Sequence, residues 1–144
     1  MIDVESVDER LRALRDYVHQ LRPYQEWTLQ ALTEQPITYN GVLHLLQLSI
    51  QAIMDVSTHI HVALDLPRAA NYSQIVLALG DTSVLPKEFA VRIQTMSGFR
   101  NILVHSYLSV NSAQVYERLQ HGLVDLETFT NHIYDFLMRE GYLD

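Results

Sequence analysis

Residues 42–56 have the sequence VLHLLQLSIQAIMDV. On a helix with about 3.6 residues per turn, these apolar side chains cover several faces instead of one stripe. Such a helix needs neighbours on more than one side. We therefore expect a central helix over about Tyr39–Leu64, or one that also lines a subunit interface. The stretch is too short and too polar to span a bilayer, since His44, Gln47, Gln51 and Asp55 interrupt it.

The rest of the chain also predicts helices. The first carries a helix-period apolar stripe, and Pro23 is expected to kink it near Arg22 because proline has no amide proton to donate. No segment alternates convincingly as a strand, so we predict a single all-α domain over residues 1–144. The five predicted helices lie at about Val4–Leu32, Tyr39–Leu64, Tyr72–Leu79, Pro86–Tyr107 and from a cap at Asn111 or Ser112 to just before Gly141.

Composition favours a compact helical protein of the cytoplasm. The hydrophobic content is 48%, with only 5 glycines and 4 prolines, and there are no cysteines to form disulfides or thiolate metal sites. The first nine residues are acidic and lack the apolar segment of a signal peptide. We therefore expect a soluble cytoplasmic protein with no membrane association.

The net charge of −7 argues against broad, non-specific binding to nucleic acid. The charge is uneven, however. Between Asp81 and Glu117 the only acid is Glu88, so this segment carries +2 and the remainder of the chain −9. This distribution fits an enzyme that binds phosphate at its one positive site. The acidic remainder of its surface would bind a basic partner subunit. The same distribution does not fit a protein that coats RNA or DNA.

Polar side chains gather in residues 99–107, FRNILVHSY, where an amphipathic helix requires only apolar residues on one face. Arg100 could hold a phosphate, and His105 could carry a proton near neutral pH. At roughly 100° per residue Asn101 and His105 share a face, and Tyr107 falls nearly in line with Arg100. His105 lies about 140° from Arg100 at the same advance per residue. The arginine must therefore bend round, or a second copy of the motif must complete the site.

The run Gly98–Tyr107 resembles the R-x4-H-x-Y signature of HepT-type toxins, which belong to the HEPN superfamily of small helical ribonucleases. The likeness extends along nearly the whole chain. It includes, in family order, Leu11–Tyr17, Ala52–Val56, Leu85–Pro86 and Val115–Tyr116.

This resemblance implies an antiparallel HEPN bundle of about five helices that forms a homodimer. It implies an endoribonuclease acting on tRNA or mRNA, with Arg100 and His105 catalytic, Asn101 supporting, and no metal or other cofactor. The expected antitoxin partner is a minimal nucleotidyltransferase of the MntA type, which attaches AMP to Tyr107. Two alternatives stay open: a non-catalytic HEPN module that binds a nucleotide or docks onto a nucleotidyltransferase, and a purely structural helical adaptor.

Asp55 is a further candidate, because a carboxylate in the most apolar helix is costly to bury without a partner. It could orient Arg100 or His105, or pair locally with His59 one turn later. A metal site is not expected: His59 and His61 are two residues apart and face opposite sides of a helix, and no known ligand motif is present.

Overall fold

The computed structural model describes residues 1–144, except for the side chain of Tyr107. Every regular element in the described chain is helical, which confirms the all-α prediction. Short 3-10 helices cover Arg22–Glu26 and Tyr107–Ser109. The α-helices are α1 (Val4–Leu21), α2 (Leu29–Thr33), α3 (Pro36–Ala63), α4 (Tyr72–Asp81), α5 (Lys87–Ile93), α6 (Met96–His105), α7 (Ser112–His121) and α8 (Leu123–Arg139).

Helix α3 lies at the centre, as its apolar pattern predicted. It packs against α1, α2, α4, α6 and α8. Ile53, Val56 and Ile60 are completely buried within it. Because α3 has neighbours on several sides, its apolar residues do not form a single stripe.

Helix α1 runs antiparallel to both α3 and α8 and packs against each of them. Near the start of α1, Arg10 faces Asp55 in the second half of α3, at 3.9 Å between Nε and Oδ2. The Tyr134 hydroxyl of α8 donates to Asp8 Oδ1 of α1 at 2.5 Å. The inner face of α1 is formed by Val7, Leu11, Leu14, Val18 and Leu21, none more than 3% exposed.

The break predicted at Pro23 is confirmed. Helix α1 ends at Leu21, and Pro23 lies in the first turn of the following 3-10 helix, where its missing N–H costs nothing. Thr28 then caps α2 by accepting a hydrogen bond from the amide of Ala31 at 3.0 Å. The predicted first helix is therefore two helices joined by an irregular turn.

The predicted helix from Pro86 to Tyr107 is wrong in two places. It divides at Gln94 and Thr95 into α5 and α6, and it ends at His105. The Ser73 hydroxyl of α4 donates to Gln94 Oε1 at 2.8 Å, so a contact from a distant helix anchors the break. Ser106, with φ −131° and ψ 34°, leaves the helical conformation and ends α6.

The last predicted helix is also divided. Asn111 caps α7 as predicted, because its Oδ1 accepts from the amides of Ala113 and Gln114. The chain changes direction at Gly122, where an added Cβ would lie 2.6 Å from the carbonyl oxygen of Arg118. Helix α8 ends before Gly141, as predicted, and Gly141 takes φ +79°. No helix of the described chain is both long and apolar enough to span a membrane.

Candidate active site on helix α6

The buried face of α6 fixes the direction in which its polar side chains point. Met96, Phe99 and Leu103 are at most 6% exposed and pack toward the core. At about 100° per residue, Asn101 and His105 then fall on the opposite side of the helix, and both are exposed. The predicted shared face of Asn101 and His105 is therefore a solvent-facing surface.

Arg100 lies at the edge between the core and this surface. Its side chain is half-buried, and its Nε is enclosed with no hydrogen-bond partner among the described residues. Its Nη1 donates to Asn101 Oδ1 at 3.2 Å. The guanidinium therefore bends away from the core toward Asn101, on the side where His105 lies.

His105 is the last residue of α6. Its exposed position at a helix C-terminus leaves the imidazole accessible to a ligand. Asn101 and His105 are both exposed in the protomer, so water reaches their side chains.

Tyr107 begins the short 3-10 helix Tyr107–Ser109, in which the amide of Ser109 donates to the Ser106 carbonyl at 2.8 Å. The predicted alignment of Tyr107 with Arg100 assumed one continuous α-helix, whereas α6 ends two residues earlier. The Tyr107 side chain itself lies outside what the structure describes.

Asp55 meets none of the three partners that the sequence suggested, which were Arg100, His105 and His59. Its Oδ1 accepts from Gln51 Nε2 at 2.8 Å, and its Oδ2 lies 3.9 Å from Arg10 Nε. The side chain points toward α1, which the sequence could not reveal. His59 is also engaged elsewhere, since its Nε2 accepts from the amide of Asp3 at 3.0 Å. Within the protomer, Asp55 is therefore part of the α1–α3 contact.

The arginines around α6 differ from most basic residues of this acidic chain. Of its 10 lysines and arginines, six form ion pairs in the described structure and four, Arg15, Arg68, Arg100 and Arg118, form none. Arg118 of α7, which the sequence analysis did not select, places its guanidinium 5.0 Å from the ring centroid of Phe99. Two cations without acidic partners thus lie on or against α6, where they can meet an anionic ligand.

The described residues contain no group of three or more His, Asp or Glu side chains placed to hold a metal ion. His61, one of the two histidines weighed for that role, is 6% exposed and packs between α3 and its neighbours. The other, His59, holds the amide of Asp3, and the two do not converge.

The helical arrangement matches that of a solved structure. The solved structure of the tri-AMPylated HEPN toxin of Shewanella oneidensis, in complex with MNT antitoxin, matches with a TM-score of 0.80 and 21% identity. The match covers 94% of this chain and 99% of that one. The fold is therefore that of a HEPN toxin.

Sequence comparison identifies the family. The model of the family described as Ribonuclease HepT-like matches residues 9–133. The "tRNA nuclease HepT" of Aphanizomenon flos-aquae is 28% identical over 96% of this chain and 95% of its own. The "mRNA nuclease HepT" of S. oneidensis is 30% identical over 76% of this chain and 75% of its own. The chain belongs to the HepT-like ribonuclease family.

Proposed function

We propose that this protein is the toxin of a toxin–antitoxin pair and cleaves RNA endonucleolytically with Arg100 and His105. The observation that carries the proposal is the Arg100 guanidinium, which has no acidic partner and bends through its contact with Asn101 toward the face of His105. The RNA would be a tRNA or an mRNA, the two classes named for the curated relatives.

The chemistry needs a phosphate-binding cation and a proton carrier, and α6 carries both. The 2′-hydroxyl of the RNA attacks the adjacent phosphorus, and one His105 takes its proton. The bond to the 5′-oxygen breaks, and a protonated His105 supplies the proton that this oxygen needs. The products are a 2′,3′-cyclic phosphate and a free 5′-hydroxyl. Arg100 stabilises the charge that develops on the phosphoryl oxygens, while Asn101 holds the guanidinium in place.

Two histidines are needed because one proton leaves while another arrives. A homodimer that brings two α6 helices together would supply both, and it would cover a surface that is open in the protomer. Gly98 supports this placement. It is an exposed glycine on the same side of α6 as His105, and an added Cβ there would meet nothing within 4 Å. A glycine weakens a helix, so its presence fits the close approach of another backbone.

The antitoxin would act on Tyr107, two residues after His105. A nucleotidyltransferase of the MntA type would transfer AMP from ATP to the Tyr107 phenol oxygen and release pyrophosphate. The added phosphate would lie two residues beyond His105, where it would compete with the phosphate of the RNA. The related S. oneidensis toxin is itself tri-AMPylated and bound to its MNT antitoxin. Tyr107→Phe should cleave RNA at close to the wild-type rate, yet gain no AMP mass after incubation with the antitoxin and ATP.

The deciding experiment is RNA cleavage by unmodified protein in excess EDTA. Arg100→Ala and His105→Ala should each reduce cleavage by at least about a hundredfold, because each removes a group required in the transition state. His121→Ala is the matched control, since His121 is also exposed and also ends a helix, α7. Wild-type protein that binds RNA without cutting it, with a mass confirming bare Tyr107, would favour the non-catalytic module instead.

A further inference from the structure

A second polar site lies away from α6, where α3 ends and α4 begins. The chain forms a cleft of about 630 Å³ there, within the size range of small-molecule sites. Its apolar wall includes Val62, Leu66, Pro67 and Ile75. None of the residues assigned to RNA cleavage contributes to it.

The cleft reaches one buried polar atom that has no partner. His61 lines the cleft, is 6% exposed, and leaves its Nε2 without a hydrogen bond among the described residues. One turn earlier on α3, the completely buried Ser57 interacts through its hydroxyl with the buried hydroxyl of Tyr72 from α4. An unpaired buried polar group is costly and uncommon, so His61 Nε2 is suited to a ligand that enters the cleft.

The surroundings of the Tyr72 phenol determine its protonation state. Burial raises the pKa of the Tyr72 phenol above its ordinary value, and the charge of Asp55 acts in the same direction. Ser57 opposes the shift without cancelling it. The Tyr72 hydroxyl therefore keeps its proton at neutral pH, and the site holds neutral hydroxyl groups beside an imidazole. These groups suit a ligand with both donor and acceptor atoms along one edge.

The rim of the cleft carries two opposite charges. Arg68 is exposed and forms no ion pair among the described residues, although the chain has 17 acidic side chains and only 10 lysines and arginines. Asp65 lies in the turn that closes α3, where it takes φ 53° in the left-handed region that aspartate adopts more readily than most residues. A guanidinium without a partner is suited to phosphate, and a carboxylate is suited to hydroxyl groups.

We propose that this cleft binds a nucleoside monophosphate unit. The base would lie against the apolar wall with its polar edge toward His61. The ribose hydroxyls would face Asp65, and the phosphate would face Arg68. The choice of a nucleotide over another phosphorylated compound rests on the proposed ribonuclease function. Two sources fit this chemistry: a free mononucleotide, or a nucleotide of the RNA substrate beyond the cleavage site.

A hydrogen bond connects α4, whose Ile75 lines the cleft, with the junction before the helix of the candidate active site. Tyr72 is followed by Ser73, whose hydroxyl donates to Gln94 Oε1 at the junction that precedes α6. Occupation of the cleft would restrain the start of α4 and, through this hydrogen bond, the start of α6. A nucleotide bound there can therefore affect RNA cleavage without touching Arg100 or His105.

The test measures calorimetric binding of AMP, GMP, CMP and UMP to an Arg100→Ala protein, in which the α6 phosphate site is disabled. Saturable binding of at least one of them is expected, and adding Arg68→Gln should weaken it by about tenfold or more through the loss of a charge-assisted contact. Arg12→Gln is the matched control, since Arg12 is also an exposed arginine but lies on α1. A His61→Phe variant should also lose nucleotide binding. If this substitution of a buried residue unfolds the chain, Arg68→Gln still tests the proposal, because Arg68 is exposed.

A second arm distinguishes the two sources. If the site holds a nucleotide of the substrate, Arg68→Gln in the otherwise unaltered enzyme should raise KM and change the base preference near the cut, read by sequencing the fragments. Tight binding of a free nucleotide with unchanged cut sites would identify a mononucleotide ligand. Absence of binding by all four nucleotides together with unchanged cleavage, or binding unaffected by Arg68→Gln, would overturn the proposal. Nucleotide binding by a protein that cuts no RNA would refute the ribonuclease and leave this site standing.

Discussion

Substitution of Gly98 separates the stability of the protomer from its activity. In the protomer an alanine side chain at Gly98 would meet nothing within 4 Å, so no clash is expected. Replacing a helical glycine by alanine stabilises a helix by roughly 0.5–1 kcal/mol, which raises the melting temperature of a chain of this size by about 2–4 °C. The same Cβ stands on the face that carries Asn101 and His105, where the second copy and the RNA are proposed to approach. We therefore expect Gly98→Ala to be more stable but less active, and the bulkier Gly98→Gln to be inactive.

Thermal unfolding and RNA cleavage, measured on the same preparations, test both halves of this expectation. Gly41 provides the control, because it is also an exposed helical glycine with open space around its Cβ, but it lies near the start of α3. Gly41→Ala should gain similar stability and Gly41→Gln should remain active. If Gly98→Gln cleaved RNA at the wild-type rate, close approach at this face of α6 would be excluded.

Two further predictions concern the packing of α1. The Tyr134 hydroxyl bond and, to a smaller extent, Arg12 lower the pKa of Asp8 below its ordinary value. A carboxyl group whose pKa is lower in the folded than in the unfolded state stabilises the fold at pH values above the unfolded-state pKa. The free energy of unfolding of wild type should therefore exceed that of Tyr134→Phe by a constant amount above about pH 5. Urea titrations should show this difference shrinking as the pH falls through about 4 and below. Asp55→Asn should cost less than about 1 kcal/mol, because the pair with Arg10 is half-exposed and long. It should also remain active; a ten- to hundredfold loss of cleavage, the size typical of removing an orienting carboxylate, would return Asp55 to the active site.

Local sequence signals predicted the helices and several of their ends. The central position of α3, the break at Pro23 and the cap at Asn111 each depend on one residue type or on one periodicity, and all three are confirmed. The divisions at Gln94 and Gly122 were not predicted. Each depends on a tertiary or backbone contact, a hydrogen bond from Ser73 in the first case and the carbonyl of Arg118 in the second. Such contacts leave no pattern in neighbouring residues.

The candidate sites show the same limit. The helical period gives the direction in which Arg100 and His105 point from a helix that carries both. It does not show which other helix lies on each side. Asp55 therefore seemed available to Arg100, whereas it faces Arg10 of α1. The cleft at His61 is formed by the end of α3, the connecting turn and α4, so the unpaired His61 Nε2 becomes visible only in three dimensions.

The separation of Arg100 and His105 also bears on how many copies form the enzyme. The buried residues Phe99 and Leu103 anchor α6 to the core, so the helix cannot rotate to bring both groups onto one line. The guanidinium reaches as far as Asn101, and His105 remains one further turn along the helix. A phosphate held by Arg100 therefore needs a second proton carrier from outside the protomer. Mixing wild-type protein with inactive His105→Ala protein tests this directly. If one cleft needs a histidine from each copy, subunit exchange should lower the cleavage rate below that of the wild-type protein alone; if each protomer acts alone, the inactive copy should leave that rate unchanged.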